Sequence, residues 1–95
     1  MAENAKRATE FLKALAHEAR LMILCYLATG EKSVTELEGL LSLRQPTVSQ
    51  QLARLRAERI IEARREGKLI YYSIADPRAR VMIEQVYDMF CKPEA

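Results

Sequence analysis

Histidine, cysteine, glycine and proline are all scarce in this chain, and each scarcity excludes something. There is one histidine, His17. Cysteine catalysis needs a base beside the thiol, typically histidine, and neither a Gly-rich phosphate loop nor a carboxylate constellation accompanies His17. No catalytic residue is assigned, and an enzyme is not expected. The two cysteines, Cys25 and Cys91, are too few for the disulfide framework of a small secreted domain. The prolines Pro46, Pro77 and Pro93 fall between elements and gather into no linker, and no repeat or low-complexity stretch is present. Long hydrophobic runs are missing too. The longest, Leu21 to Ala28, is far short of the roughly 20 residues that span a bilayer. Lys6 and Arg7 are followed by a mixed, charged stretch where a signal peptide would place an apolar one. The expectation is a soluble, cytoplasmic protein with no membrane partner.

What the chain does have is apolar residues at 49% of 95, enough for one modest core and a single domain over 1–95. A domain of this size buries only about two-thirds of its unfolded surface, so dimerisation is a natural way to cover the rest. The net charge of +2 is unevenly spread. Between Arg44 and Lys68 stand seven basic residues and three acids, which leaves the remainder mildly acidic. Such a stretch suits a polyanion-binding face, and it equally suits a solvated helix surface.

Periodicity divides the chain into six elements. Ala8, Phe11, Leu12 and Leu15 recur at helical spacing and predict a helix from about Ala5 to Leu15. Glu18–Ala28 reads as a second helix, apolar nearly all round and so central to the domain, with Gly30 placed to end it in a left-handed conformation. Ser33-Val-Thr-Glu36 is a capping box opening a third helix to Leu41, with Val34, Leu37, Leu40 and Leu41 as its inward stripe. Gln45 to Glu58 is a fourth helix, with Pro46 in its first turn and a narrow apolar stripe of Val48, Leu52 and Leu55. Ile60–Arg65 and Lys68–Ile74 predict a hairpin around a Glu66-Gly67 turn. That register pairs Ala63 with Ile70 and Ile61 with Tyr72 on one half-buried face. Asp76-Pro77 is an N-cap with an N1 proline, opening a last helix to about Cys91. The expected fold is mainly α: five helices and a two-stranded hairpin wing in a dimeric winged helix-turn-helix.

A helix-turn-helix sets its second helix into the major groove of DNA. That helix needs one apolar side to dock on the protein and, on the other, groups that match base edges. Gln bonds adenine, Arg bonds guanine, and Thr methyls meet thymine methyls. The fourth helix offers Gln45, Thr47, Ser49, Gln50 and Arg54. The hairpin adds Arg64, Arg65 and Lys68 for phosphate contacts, which position the protein without reading sequence. The expected partner is double-stranded operator DNA.

With these residues in place, nearly the whole chain resembles the ArsR/SmtB family of dimeric winged-helix repressors. The matching segments are Leu12 to Leu24 around the entry to the second helix, Ser33-Val-Thr-Glu-Leu37, Gln45 to Arg56 in the reading helix, and Arg64 to Tyr72 in the wing. One departure is Arg44, where the family usually has Ser at the N-cap of the reading helix. The resemblance implies a homodimer whose DNA affinity is controlled by an inducer. Members that sense metal through thiolates carry Cys-Val-Cys in the third helix, where this chain has Ser33-Val34-Thr35. Zinc sensors carry Asp and His on the last helix, which here holds Asp76, Glu84 and Asp88 and no His. Neither metal site is present, and no cofactor is expected. The placement of Cys25 and Cys91 resembles the dithiol branch of the family. That resemblance implies a sensor in which oxidation or persulfide bridging of the pair within one subunit releases DNA, with a reactive sulfur species or oxidant as inducer. Arg20 and Lys92 are the nearest cations to the cysteines in sequence. Three other readings stay open on the residues alone. Both cysteines can be plain buried packing, the repressor can respond to a metal through another site, or the domain can be a protein-interaction module without DNA binding.

Overall fold

The computed structural model describes residues 1–91; Lys92 and Pro93, noted above, lie outside them. The element order is α1 (Ala2–Leu15), α2 (Glu18–Leu27), β1 (Lys32–Ser33), α3 (Val34–Leu41), α4 (Gln45–Ala57), β2 (Ile61–Glu66), β3 (Leu69–Ile74) and α5 (Pro77–Phe90). The five expected helices are all present, α1 starting three residues earlier than its apolar spacing indicated. The sheet is three-stranded in the order β1-β3-β2, all antiparallel. The expected two-stranded wing thus gains a third strand, β1, too short to show any periodicity in sequence.

Three of the five helices, α2, α3 and α5, begin where a side chain satisfies a free N–H group. Ser33 and Glu36 form the reciprocal capping box of α3. Asp76 accepts from the Arg78 N–H at α5, with Pro77 next in line. His17 caps α2, its Nδ1 accepting from the Ala19 N–H at 3.1 Å. Arg44 occupies the N-cap of α4 and contributes no side-chain bond there. The end of α4 is closed by Arg59 N–H to Arg56 C=O at 2.9 Å and Ile60 N–H to Leu55 C=O at 3.0 Å. This is a Schellman closure, with Arg59 held at φ 59° where glycine is usual. Gly30 lies three residues beyond the end of α2 with a φ of 142°, a positive value that favours glycine; the C-cap is Ala28, so Gly30 is not the helix-ending cap expected.

The core is built by Leu15 of α1, Ile23, Leu24 and Leu27 of α2, Leu37 and Leu41 of α3, Val48, Leu52 and Leu55 of α4, Ile60, Ile61, and Ile83 of α5, all buried. Two expectations need correction. Leu40 is exposed, because the buried stripe of the short α3 is the i, i+4 pair Leu37 and Leu41, and Leu40 lies off it. Helix α2 is not apolar-buried all round, since Met22 is exposed at its outer side.

The wing turn sits one residue later than expected. Its loop is Gly67-Lys68, and the pairs are Ile61↔Ile74, Ala63↔Tyr72 and Arg65↔Ile70. Gly67 has φ 62°, while Lys68 is not among the residues of positive φ. Glycine at the first loop position is what a type II′ turn needs, and this choice moves the register by two. A shift of two preserves the faces, so Ile61, Ala63, Ile70 and Tyr72 still share one side. Ile61 is buried, Ala63 and Tyr72 are half-buried, and Ile70 near the tip is exposed.

Candidate nucleic-acid interface and dithiol site

Helix α4 is held on its inner side by Val48, Leu52 and Leu55, each fully or almost fully buried. At 100° per residue, the three leave an outer face centred near Gln50, with Thr47 and Arg54 on it and Ser49 toward the wing. Gln45, Thr47, Ser49, Gln50 and Arg54 are all exposed. Arg54 pairs loosely with Glu58 one turn on, at 3.6 Å. One flank of α4 is locked from behind. Arg20 of α2 donates from Nη1 to Gln51 Oε1 at 2.8 Å, from Nε to the Ala14 carbonyl at 2.6 Å and from Nη2 to the Lys13 carbonyl at 3.3 Å. Burial, and then the Arg54 charge, hold this guanidinium below its ordinary pKa. Arg20 therefore ties α1, α2 and α4 together and is directed to them, not to Cys25. Sequence reasoning missed Gln51, whose partner lies 31 residues away.

The wing cations divide by the pleat. Arg64 pairs with Tyr71 and lies on the sheet face away from Tyr72. It reaches Glu31 with two nitrogens and Glu66 at 2.7 Å, and its guanidinium stands over the Tyr71 ring at 5.0 Å. These partners raise the Arg64 pKa, and the bond from Arg64 lowers that of Glu31. Arg65 lies on the opposite face, in line with Ala63 and Tyr72, and turns back to the Gly67 carbonyl at 3.2 Å. Lys68 at the tip is exposed and makes no hydrogen bond or ion pair among the described residues.

Cys25 and Cys91 are free thiols, Cys25 half-buried and Cys91 exposed. Cys25 lines a cleft of about 110 Å³ between α2 and α5, with Ala28, Ile83, Glu84, Tyr87 and Asp88. Glu84, Tyr87 or Asp88, and Cys91 follow one another at i, i+3 or i+4, and i+7, so Cys91 continues the α5 stripe that faces Cys25. The Cys91 N–H closes the helix on the Tyr87 carbonyl at 2.8 Å. Arg80 Nη1 bonds the Ala28 carbonyl at 3.2 Å and fastens α5 to the end of α2. Burial pushes the Cys25 thiol above its ordinary pKa, and Cys91 pushes it further. Among the described residues there is no group of three or more His, Cys, Asp or Glu placed to hold a metal ion. No helix of the described residues is long and apolar enough to cross a membrane.

The opposite flank of α5 is apolar. Val81 is 59% exposed and Met89 68%. With Phe11 of α1, Pro77, Arg78, Met82 and Gln85, Val81 lines an open groove of about 420 Å³. Tyr87 is exposed, whereas Phe11, Met82 and Val86 are half-buried. That Val81 and Met89 stand outward follows once the core stripe Ala79–Ile83 is fixed.

A short helix pair α3–α4, an exposed amide- and hydroxyl-bearing second helix, and a basic-tipped hairpin beside it define a winged helix-turn-helix. The comparisons narrow the class. Residues 17–63 match the model of the bacterial regulatory protein arsR family. The chain is 55% identical over 92 residues to a biofilm growth-associated repressor of Agrobacterium fabrum, covering 94% of this chain and 79% of that one. Its fold superposes on reduced HlyU from Vibrio cholerae with a TM-score of 0.94 at 38% identity, covering 97% of each chain. On the transcriptional repressor BigR from Xylella fastidiosa the TM-score is 0.87 at 40% identity, covering 100% of this chain and 96% of that one. The chain belongs to the ArsR family of bacterial regulatory proteins.

Proposed function

We propose that this protein is a dimeric, sequence-specific DNA-binding repressor whose grip on its operator is switched by oxidation or persulfide bridging of Cys25 and Cys91. The observation that carries the switch is the shared α5. One of its flanks lines the Cys25 cleft with Glu84, Tyr87 and Asp88, a stripe that Cys91 extends by one turn at helical spacing, and the other presents Val81, Met82 and Met89 as an apolar face for a second copy. That the V. cholerae relative HlyU has a structure in a reduced form fits a redox-dependent regulator, and two of the relatives carry the name repressor.

Reading falls to Gln45, Thr47, Ser49, Gln50 and Arg54. Arg65 and Lys68 supply phosphate contacts, and Arg64 joins them only by leaving Glu31 and Glu66. In the dimer the two α4 helices enter successive major grooves, about one helical turn apart. A bridge between Cys25 and Cys91 fixes α5 against α2. Because α5 also carries the dimer face, the spacing of the two reading heads changes with it. In a direct disulfide, two thiols pass two protons and two electrons to the oxidant. In a bridge with one inserted sulfur, two persulfide molecules are consumed: the first passes its sulfane sulfur to one cysteine and leaves as its thiol, and the second takes up the two electrons and two protons of bridge closure and leaves as its thiol and hydrogen sulfide. Cys91 is the exposed member and meets the reagent first; half-buried Cys25 closes the bridge. A coupling of about 1–3 kcal/mol, typical of allosteric proteins, lowers affinity by up to ~150-fold.

The test is mass spectrometry of the intact protein after persulfide, glutathione disulfide and peroxide treatment, with operator affinity measured on the same samples. An intramolecular Cys25–Cys91 crosslink must accompany loss of binding. Release of DNA with both thiols still free contradicts the switch.

A further inference from the structure

Helix α4 and the wing enclose a groove of about 320 Å³, lined by Ser49, Ala53, Arg56, Ala57 and Tyr72. Its side-chain polar groups are a guanidinium and two hydroxyls, each able to donate a hydrogen bond. Arg56 is exposed and forms no ion pair among the described residues, although Arg54, two residues earlier, is paired with Glu58. The Ser49 hydroxyl and the Tyr72 hydroxyl make no hydrogen bond to other described residues. No carboxylate lines the groove. Ala53 and Ala57 leave its floor open.

We infer that Arg56, Tyr72 and Ser49 form a seat for a backbone phosphodiester of duplex DNA. The inference rests on the DNA-binding reading above, adds Arg56 and Tyr72, which that reading does not use, and turns the Ser49 hydroxyl from base edges to the backbone. A helix with its side chains is about 10–12 Å across and fills a major groove about 12 Å wide. Its outermost residues then meet base edges, and its flanks meet the two sugar–phosphate backbones. Helical rotation puts Ser49, Ala53 and Arg56 at i, i+4 and i+7 on the flank toward the wing, while Gln51 on the other flank is already engaged by Arg20. Tyr72, on the inner face of β3, brings its hydroxyl from across the groove. A phosphate oxygen entering there accepts from the guanidinium fork and from two hydroxyls, with no anion of the protein to displace. At Arg64, by contrast, a phosphate must compete with Glu31 and Glu66.

The test measures binding of the full-length, reduced protein to a mixed-sequence duplex of about 30 base pairs, long enough for two half-sites, across a series of salt concentrations. A duplex selected from a random pool serves as the second probe. Arg56→Gln is expected to weaken binding roughly tenfold on both probes and to lower the salt slope by about one, without changing the selected sequence. Arg56→Lys should restore the slope but only part of the affinity, because the ammonium lacks the planar fork. Tyr72→Phe keeps the ring and its packing; it should weaken binding several-fold with the slope unchanged, since no charge is removed. An unchanged slope and affinity for Arg56→Gln overturns the seat. A changed base preference overturns it as well, by making Arg56 a base reader. If the unmodified protein binds neither duplex, the DNA reading itself falls and takes the seat with it.

Discussion

Replacing Arg20 with alanine should be among the most damaging single changes outside the apolar core. Three hydrogen bonds are lost together: to the Ala14 carbonyl at 2.6 Å, to Gln51 Oε1 at 2.8 Å and to the Lys13 carbonyl at 3.3 Å. A bond from a charged donor contributes about 1.5–3 kcal/mol when sheltered. The Lys13 bond is long and exposed and contributes little. Water partly replaces the other two, because Arg20 is only half-buried. A net loss of about 2–3 kcal/mol follows, and for a domain of this size it lowers the melting temperature by roughly 10–20 °C. Gln51→Ala removes only one of the bonds and should cost about 1 kcal/mol. The double variant should then fall short of additivity by about 1 kcal/mol, the energy of the shared bond. Urea unfolding at one fixed protein concentration is the appropriate assay, since the stability of the proposed dimer depends on concentration. A loss below about 0.5 kcal/mol for Arg20→Ala, the range of an ordinary surface change, or strict additivity with Gln51→Ala, would refute the role of Arg20 as the tie between α1, α2 and α4.

Arg59→Gly should stabilise the protein by about 0.5–1 kcal/mol, because Arg59 is held at φ 59° in the closure of α4; a destabilised variant in urea titration would contradict the strain. Asp76→Ala should cost about 1 kcal/mol through loss of the α5 cap. The bonds from Arg78 hold the Asp76 carboxyl below its ordinary value of 3.8, so its contribution is complete above that value and fades as pH falls through the lower, folded one. Asp76→Asn should therefore lack that acid-dependent component, which a pH series of unfolding midpoints checks. Lys68→Ala should reduce the salt slope of DNA binding by about one, whereas Arg64→Ala should reduce it by less, its charge being already met by Glu31 and Glu66; equal slopes for the two would show that Arg64 is released to DNA. Gln50→Ala should relax base preference at one position of each half-site, read by selection from a random pool, and an unaltered preference would mean that α4 is rotated from the orientation described. Val81→Glu should shift the sedimenting species toward monomer at micromolar concentration, and an undisturbed dimer would remove this flank of α5 from the interface.

Much of the fold was legible because short-range chemistry dictates it. Ser33 and Glu36 sit three residues apart and cap α3 as their spacing requires. Val48, Leu52 and Leu55 mark the buried side of α4 by period alone. The features that escaped depend on partners distant in sequence or on a choice between near-equal local options. β1 exists because Lys32 and Ser33 meet Tyr72 and Tyr71 across 40 and 38 residues of chain. The wing register turned on which residue of Glu66-Gly67-Lys68 takes the first loop position. Leu40 looked as apolar as Leu37, and only the closeness of α2 and α4 decides which of them is covered. The basic residues were easily found, but their availability was not. Nothing near Arg64 in sequence identifies Glu31 as its partner, 33 residues away. The cysteine pair was visible in the sequence as two residues on different helices. That α5 packs along α2, with Cys25 in the cleft between them, emerges only from the fold.

The most direct measurement is operator affinity before and after a persulfide donor, for the unmodified protein, Cys25→Ser and Cys91→Ser. Equal, tight binding by all three is expected when they are reduced. The donor should lower the affinity of the unmodified protein alone, up to ~150-fold, and a thiol reductant should restore it. If either serine variant releases DNA as the unmodified protein does, the two cysteines are not the switch.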